Sequence, residues 1–204
     1  MDHTKLGNIL DAAGDGDLLQ LVNLLQGDAS LVHSHDMHGR TPLHYAAIYG
    51  HADAASHLLA HGADIEARDK WGGTPLFRAV REEILVYDRI PVMETLISAG
   101  ADVNARDDLG TSPLHYAAGF DERSVIGLLL ANGADVNACD KAGNTPLHDA
   151  VCYPGSEKVG LLLAWPGINV RVENKDGLTP QQFAEANRRP ELALLLHRAD
   201  FSLM

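Results

Sequence analysis

Thr41-Pro42-Leu43-His44, Thr74-Pro75-Leu76-Phe77, Ser112-Pro113-Leu114-His115 and Thr145-Pro146-Leu147-His148 are four readings of one tetrapeptide, and Thr179-Pro180-Gln181-Gln182 is a decayed fifth. Successive copies lie 33, 38, 33 and 34 residues apart. A period near 33 predicts a linear array of small units that lean on their neighbours, not one wrapped globule.

Reading outward from the first copy gives the grammar of a unit. Thr41 can accept a hydrogen bond from a free helix N–H, and Pro42 suits the first helical position. Leu43, Ala46 and Ala47 then share one helical face. Gly50 can stop this helix in a left-handed conformation. A second helix is expected over Ala52 to Ala60, ended by Gly62. Ala63-Asp64-Ile65-Glu66-Ala67 reads as an extended return, and Asp69-Lys70-Trp71-Gly72 as a turn. Gly100-Ala101-Asp102-Val103-Asn104-Ala105 and Gly133-Ala134-Asp135-Val136-Asn137-Ala138 are identical to each other and repeat this return. Helices of two to three turns are marginal alone. Each buried leucine contributes roughly 1.5–3 kcal/mol only when a neighbouring unit covers it. Stacking is therefore a requirement of the pattern.

The T-P-L-H-x-A core, the G-A-D-V-N-A return and the period resemble the ankyrin repeat over nearly the whole chain. The resemblance implies an all-α solenoid, curved and elongated, in which helix pairs stack and short β-hairpin turns project from them. On this reading the chain is a single domain, 1–204. It comprises an N-terminal cap 1–35, full repeats 36–68, 69–106, 107–139 and 140–173, and a C-terminal cap 174–204. Gln181 and Gln182 replace Leu and His in the closing cap, as fits an end unit with less to bury. The second repeat is five residues longer than the period. The surplus lies between Arg81 and Pro91, with Pro91 placed to open the next helix. It reads either as a longer first helix packing Ile84, Leu85 and Ile90 on their own unit, or as a lip that touches a partner.

Composition sets limits. The chain has 204 residues, 46% of them hydrophobic but only 5% aromatic, and a formal net charge of −12. An acidic balance argues against binding to a nucleic-acid backbone. The two cysteines, Cys139 and Cys152, suggest neither a disulfide framework nor a CxxC site. Neither a signal peptide nor a membrane span is evident. The expectation is a monomeric cytoplasmic protein, or a nuclear one in a eukaryote, that needs no cofactor.

Several groups invite a chemical reading. The resemblance implies that His44, His115 and His148 are neutral structural groups bonding across adjacent turns. His33, His35 and His38, with Asp36 among them, could catch a metal but read more simply as a solvated turn, since no cysteine or second half-site stands nearby. Gly14-Asp15-Gly16-Asp17 lacks the lysine and closing acid of a phosphate or calcium loop and reads as a turn between cap helices. No catalytic motif is present, so no catalytic or metal residue is assigned. Asn104 and Asn137 stand where some family members are hydroxylated; the simpler role is to hold the return.

The resemblance places partner binding on the turn tips and the inner face of the first helices. Carried onto this chain, that face comprises Met37, His38, Arg40, Ile48, Tyr49 and Arg68, then Lys70, Trp71, Arg81, Glu82 and Arg106. Asp108, Leu109, Phe120 and Cys139 continue it, followed by Lys141, Asn144, Cys152 and Tyr153. The stripe is aromatic and basic on an acidic protein, with Asp36, Asp69, Asp107 and Asp140 offsetting part of the charge. Three functions are compatible: a non-catalytic scaffold or adaptor for another protein, an inhibitor or immunity-type protein that occludes one enzyme or toxin, and, from a different class, a small metal enzyme built on His33, His35 and His38.

Overall fold

Each Thr/Ser-Pro-Leu opening becomes a short helix, and each is followed by a second. The computed structural model describes residues 3–81, 89–120, 122–152 and 155–202. Its helices, in chain order, are α1 His3–Asp15, α2 Leu18–Gly27, α3 Pro42–Ile48, α4 Ala52–Ala60, α5 Pro75–Arg81 and α6 Ile90–Ser98. There follow α7 Pro113–Gly119, α8 Arg123–Ala131, α9 Pro146–Cys152, α10 Ser156–Leu163, α11 Pro180–Ala186 and α12 Pro190–Ser202. A 3-10 turn, Ala29–His33, follows α2. The chain forms two compact units, Met1–Asp108 and Leu109–Met204.

In the first unit α3 packs between α1 and α5, and α4 lies against α2 and α6. In the second, α9 packs between α7 and α11, and α10 between α8 and α12. The fold within each unit is thus all-α, a stack of helix pairs. Leu43, Ala46 and Ala47 are fully buried, as are Leu114, Ala117, Ala118, Leu147 and Ala150. The alanines let neighbouring helices close in, and the leucines fill what remains.

The repeated histidines do two jobs at once. Nδ1 of His44 accepts from the Thr41 backbone N–H at 3.1 Å, which closes a capping box with Thr41. An accepting Nδ1 leaves the proton on Nε2, and that nitrogen donates to the Gly73 carbonyl at 3.1 Å, one repeat further on. His115 makes the same pair of bonds to Ser112 and Asn144, and His148 to Thr145 and Leu178. Burial holds His44 and His148 below the usual histidine pKa, although the carbonyl bond opposes it. They act as neutral rivets between consecutive repeats. In the closing cap the box is kept by Gln182, whose Oε1 accepts from Thr179 N–H at 2.9 Å. The glutamine preserves the cap and gives up the rivet.

Two backbone bonds close each hairpin turn: Gly39 N–H to Asp36 O with Asp36 N–H to Arg40 O, and likewise Gly72 to Asp69 with Asp69 to Gly73, Gly143 to Asp140 with Asp140 to Asn144, and Gly177 to Asn174 with Asn174 to Leu178. Adjacent turns share one more, for example Lys70 N–H to His38 O at 2.9 Å. One bond per junction is too few to make a strand, and no strand occurs among the described residues. Gly72 has φ +77°, and a Cβ there would meet Asp108 at 2.6 Å, so only glycine fits.

The return segment differs from the extended form expected. Asp64 accepts from Glu66 N–H through its side chain and from Ala67 N–H through its carbonyl. Asp102 and Asp135 repeat this turn. A short carboxylate two residues before a backbone N–H favours such a turn over extension. Asn137 then ties the next loop: its Nδ2 donates to Gly167 O and its Oδ1 accepts from Asn169 N–H, both at 2.8 Å. Pro91 does sit in the first turn of α6. Glu82, Ile84 and Leu85 lie outside the described residues, so the structure does not bear on either reading of the longer second repeat.

Candidate functional site

In three of the hairpins one carboxylate oxygen of the acid closes the turn. Oδ1 of Asp36 accepts from the N–H groups of His38 and Arg40. Oδ1 of Asp69 accepts from Trp71 and Gly73, and Oδ1 of Asp140 from Ala142 and Asn144. In the first two of these hairpins Oδ2 meets the residue nine positions on, in the helix that follows. In the first repeat that residue is Tyr45, whose hydroxyl donates to Asp36 at 3.1 Å. Burial first, then the Asp36 charge, pushes the Tyr45 phenol up to about 12. In the second it is Arg78, whose guanidinium meets Asp69 Oδ2 at 2.5 Å with both side chains buried. Burial alone would raise the Asp69 pKa, but the Arg78 hydrogen bond, two backbone N–H bonds and the arginine charge outweigh it and lower it. In the fourth repeat the answering residue is Asp149, a second acid.

Around the second hairpin the first unit gathers cations on one ring. The guanidinium carbons of Arg78 and Arg40 lie 5.2 and 5.7 Å from the Trp71 ring centroid, and Lys70 Nζ lies 5.0 Å away. The His38 ring stacks on Trp71 at 5.4 Å. Trp71 remains 40% exposed, so this basic, aromatic tip is reached by solvent. Arg68 belongs nearby but is engaged, donating to the carbonyls of Gly72 and Arg106 at 3.1 and 2.7 Å.

The second unit holds a groove between α7 and α9 with a volume of about 280 Å³. Tyr116 and Phe120 form one wall, stacked 5.4 Å apart with their planes 13° from parallel. Asp140, Asp149 and Cys152 form the other. Burial, and then the Asp140 charge, lift Asp149 to about 7. Burial and the neighbouring Asp149 also raise Cys152 above the usual thiol range, so this cysteine is a poor nucleophile.

The expected partner face is distributed unevenly. His38, Arg40, Lys70 and Trp71 come together, as do Phe120 and Cys152. Met37 and Leu109 stand out from hairpin tips, 86% and 68% exposed. Asp108 and Lys141 are exposed, Arg81 and Cys139 half-buried. Ile48 is buried in its own unit and offers nothing to a partner. Tyr49 stacks on Tyr45 and covers Gly14 of α1, and Asn144 accepts from Asn174 at 2.9 Å; both are tied into the fold. Glu82 and Tyr153 lie outside the described residues. Arg78, Tyr116 and Asp149 were not anticipated. One signal could have found them: the residue after the tetrapeptide runs Tyr45, Arg78, Tyr116, Asp149, Phe183, changing chemical class while its flanks hold. Among the described residues, no group of three or more His, Cys, Asp or Glu side chains could hold a metal ion. His33, His35, His38 and Asp36 therefore do not form a site.

Comparison with known proteins rests on the same repeat. A model of ankyrin repeats in three copies matches residues 9–107 and again 84–176. The chain is 44% identical over 68 residues to the serine/threonine-protein kinase VIK of Arabidopsis thaliana, covering 33% of this chain and 16% of that one. It is 40% identical over 81 residues to an ankyrin repeat-containing protein of Schizosaccharomyces pombe, covering 40% of this chain and 39% of the relative. It is 38% identical over 64 residues to NF-kappa-B inhibitor alpha of Gallus gallus, with 31% and 20% covered. The chain thus spans less than half the length of each of these relatives. Ankyrin repeats are protein–protein interaction modules and in general not enzymes. Stacked helix pairs, capping histidines that bridge consecutive repeats, and a family match running from residue 9 to residue 176 together establish that this chain belongs to the ankyrin-repeat family.

Proposed function

We propose that the chain is a non-catalytic binding module that holds another protein through its hairpin tips and the inner helices α3, α5, α7 and α9. The observation that carries this reading is the placement of large apolar side chains. Met37, Trp71, Leu109 and Phe120 are all exposed, on hairpins or at the end of an inner helix, where the repeat requires no such residue. Aromatic and arginine side chains supply most of the energy at interfaces, and exposed apolar groups mark them. No helix among the described residues is long and apolar enough to cross a membrane, which suits a macromolecular partner met in solution. Affinity capture from host lysate tests the reading, comparing wild type with Trp71→Ala and Phe120→Ala. Loss of the same captured protein with either substitution is expected; identical capture by all three would rule out this face.

A narrower reading is that the module inhibits its partner by covering it. The similarity to a protein named as an inhibitor favours this. If so, the captured protein loses activity on adding stoichiometric chain; an unchanged rate would leave the scaffold role alone.

A further inference from the structure

Three repeats can be compared at one address. The first answers its hairpin acid with a phenol and the second with a guanidinium. The fourth meets it with Asp149, which adds a carboxylate instead of a donor. Among the described residues, no donor meets Oδ2 of Asp140 or the carboxylate of Asp149. Beside them lies an open groove with a stacked aromatic wall. The fourth repeat therefore has the acids, α7 of the repeat before it supplies the ring wall of the space beside them, and the cation is lacking.

We propose that this groove is a socket for an arginine side chain of a partner protein, whose guanidinium takes beside Asp140 and Asp149 the place that Arg78 takes beside Asp69. The proposal rests on the protein-binding reading above and names what that partner presents. Arginine is preferred to lysine on chemical grounds. A planar guanidinium bonds two carboxylates at once and stacks on an aromatic face, whereas an ammonium is a compact, strongly hydrated point charge. Trp71 shows the same taste for cations in the first unit, with Arg78 at 5.2 Å. The chain's net charge of −12 draws a basic segment toward it.

The charged surroundings of Asp149 are few. Asp140 faces it from the hairpin and Cys152 from α9 itself. His115 and Tyr116 border the same groove from α7, and α11 contributes the apolar Phe183, which packs on His148. Lys158 of α10 and Arg189, just before α12, act on Cys152. Lys158 Nζ is spent on the Gly119 carbonyl at 3.1 Å, and Arg189 reaches Cys152 O at 3.4 Å. Asp149 ionises near pH 7, so cation binding should strengthen as pH rises from 6 to 8.

The test is a titration of the isotope-labelled full chain with the capped tripeptide Gly-Arg-Gly, with its citrulline analogue of equal shape and no charge, and with Gly-Lys-Gly. Amide shifts confined to residues 111–120 and 140–152 are expected with arginine. Binding should be weaker by about fivefold or more for citrulline, and for arginine with Asp149→Asn. Asp149→Arg, which supplies the cation from within, should abolish the response. Equal shifts with citrulline, equal or tighter binding of the lysine peptide, or shifts elsewhere on the chain would overturn the socket; so would unchanged arginine binding in a folded Asp149→Asn. That result alongside capture abolished by Phe120→Ala would sink the socket and leave the protein-binding reading standing.

Discussion

At the residue scale, the informative side chains are those whose ionisation the fold disturbs. Asp149 is held neutral up to about pH 7, while an unfolded aspartate ionises near 3.8. Between these values the folded chain binds more protons, so this group lowers stability as pH rises and costs most above 7. Asp149→Asn should therefore stabilise the protein at pH 8 by about 1–2 kcal/mol, a figure reduced for the solvent that reaches this part-exposed carboxyl, and change little at pH 4. Denaturant melts at the two pH values check this. His148 has the opposite sense. Burial holds its folded pKa below the unfolded 6.5, so the stability it confers is full above 6.5 and lost as pH falls below it. His148→Gln copies the box that Gln182 makes with Thr179. It should cost about 1–2 kcal/mol at pH 7 through the lost bond to Leu178. It should also flatten the fall in stability between pH 7 and pH 5, measured on the same melts.

At the element scale, the helix ends carry the interest. Thr-Pro openings and glycine stops were legible in the chain, because caps are local and need only a few adjacent residues. α4 falls on the expected Ala52 to Ala60, ended ahead of the left-handed Gly62. The return segments were less legible: a single aspartate turned them, and composition alone suits extension equally. The α11–α12 junction departs from the pattern in a testable way. Arg188 stands nine residues after Thr179, as Gly50 does after Thr41, and adopts φ +58°, the left-handed region that Gly50 occupies at +77°. A side chain there carries strain that glycine does not. Arg188→Gly should raise stability by about 0.5–1 kcal/mol, seen as a higher denaturant midpoint with unchanged slope.

At the scale of the whole molecule, charge is the dominant collective property. A net −12 opposes compaction, and mobile ions screen it. Thermal melts should therefore move upward from about 10 to 150 mM NaCl, by a few degrees; a fall would mean that exposed attractive ion pairs such as Arg123 with Glu157 outweigh the repulsion. The family and the helix-pair plan were legible at this scale because a 33-residue period is redundant: any one copy can decay, as Thr179-Pro180-Gln181-Gln182 has, without hiding the rest. The groove was not. Asp140 and Asp149 look like two ordinary polar residues until the fold brings a hairpin against the helix after it. Phe120 was visible as an unrequired aromatic, but its stacking on Tyr116 was not.

The bridge made by Asn137 has a consequence for how the second unit can fail. Its amide bonds two partners in the adjoining loop, Gly167 and Asn169, and an aspartate could satisfy just one of them. Spontaneous deamidation there would leave a negative oxygen aimed at a carbonyl. Ageing of the molecule would then begin as a loosened seam between two layers, with each layer still intact.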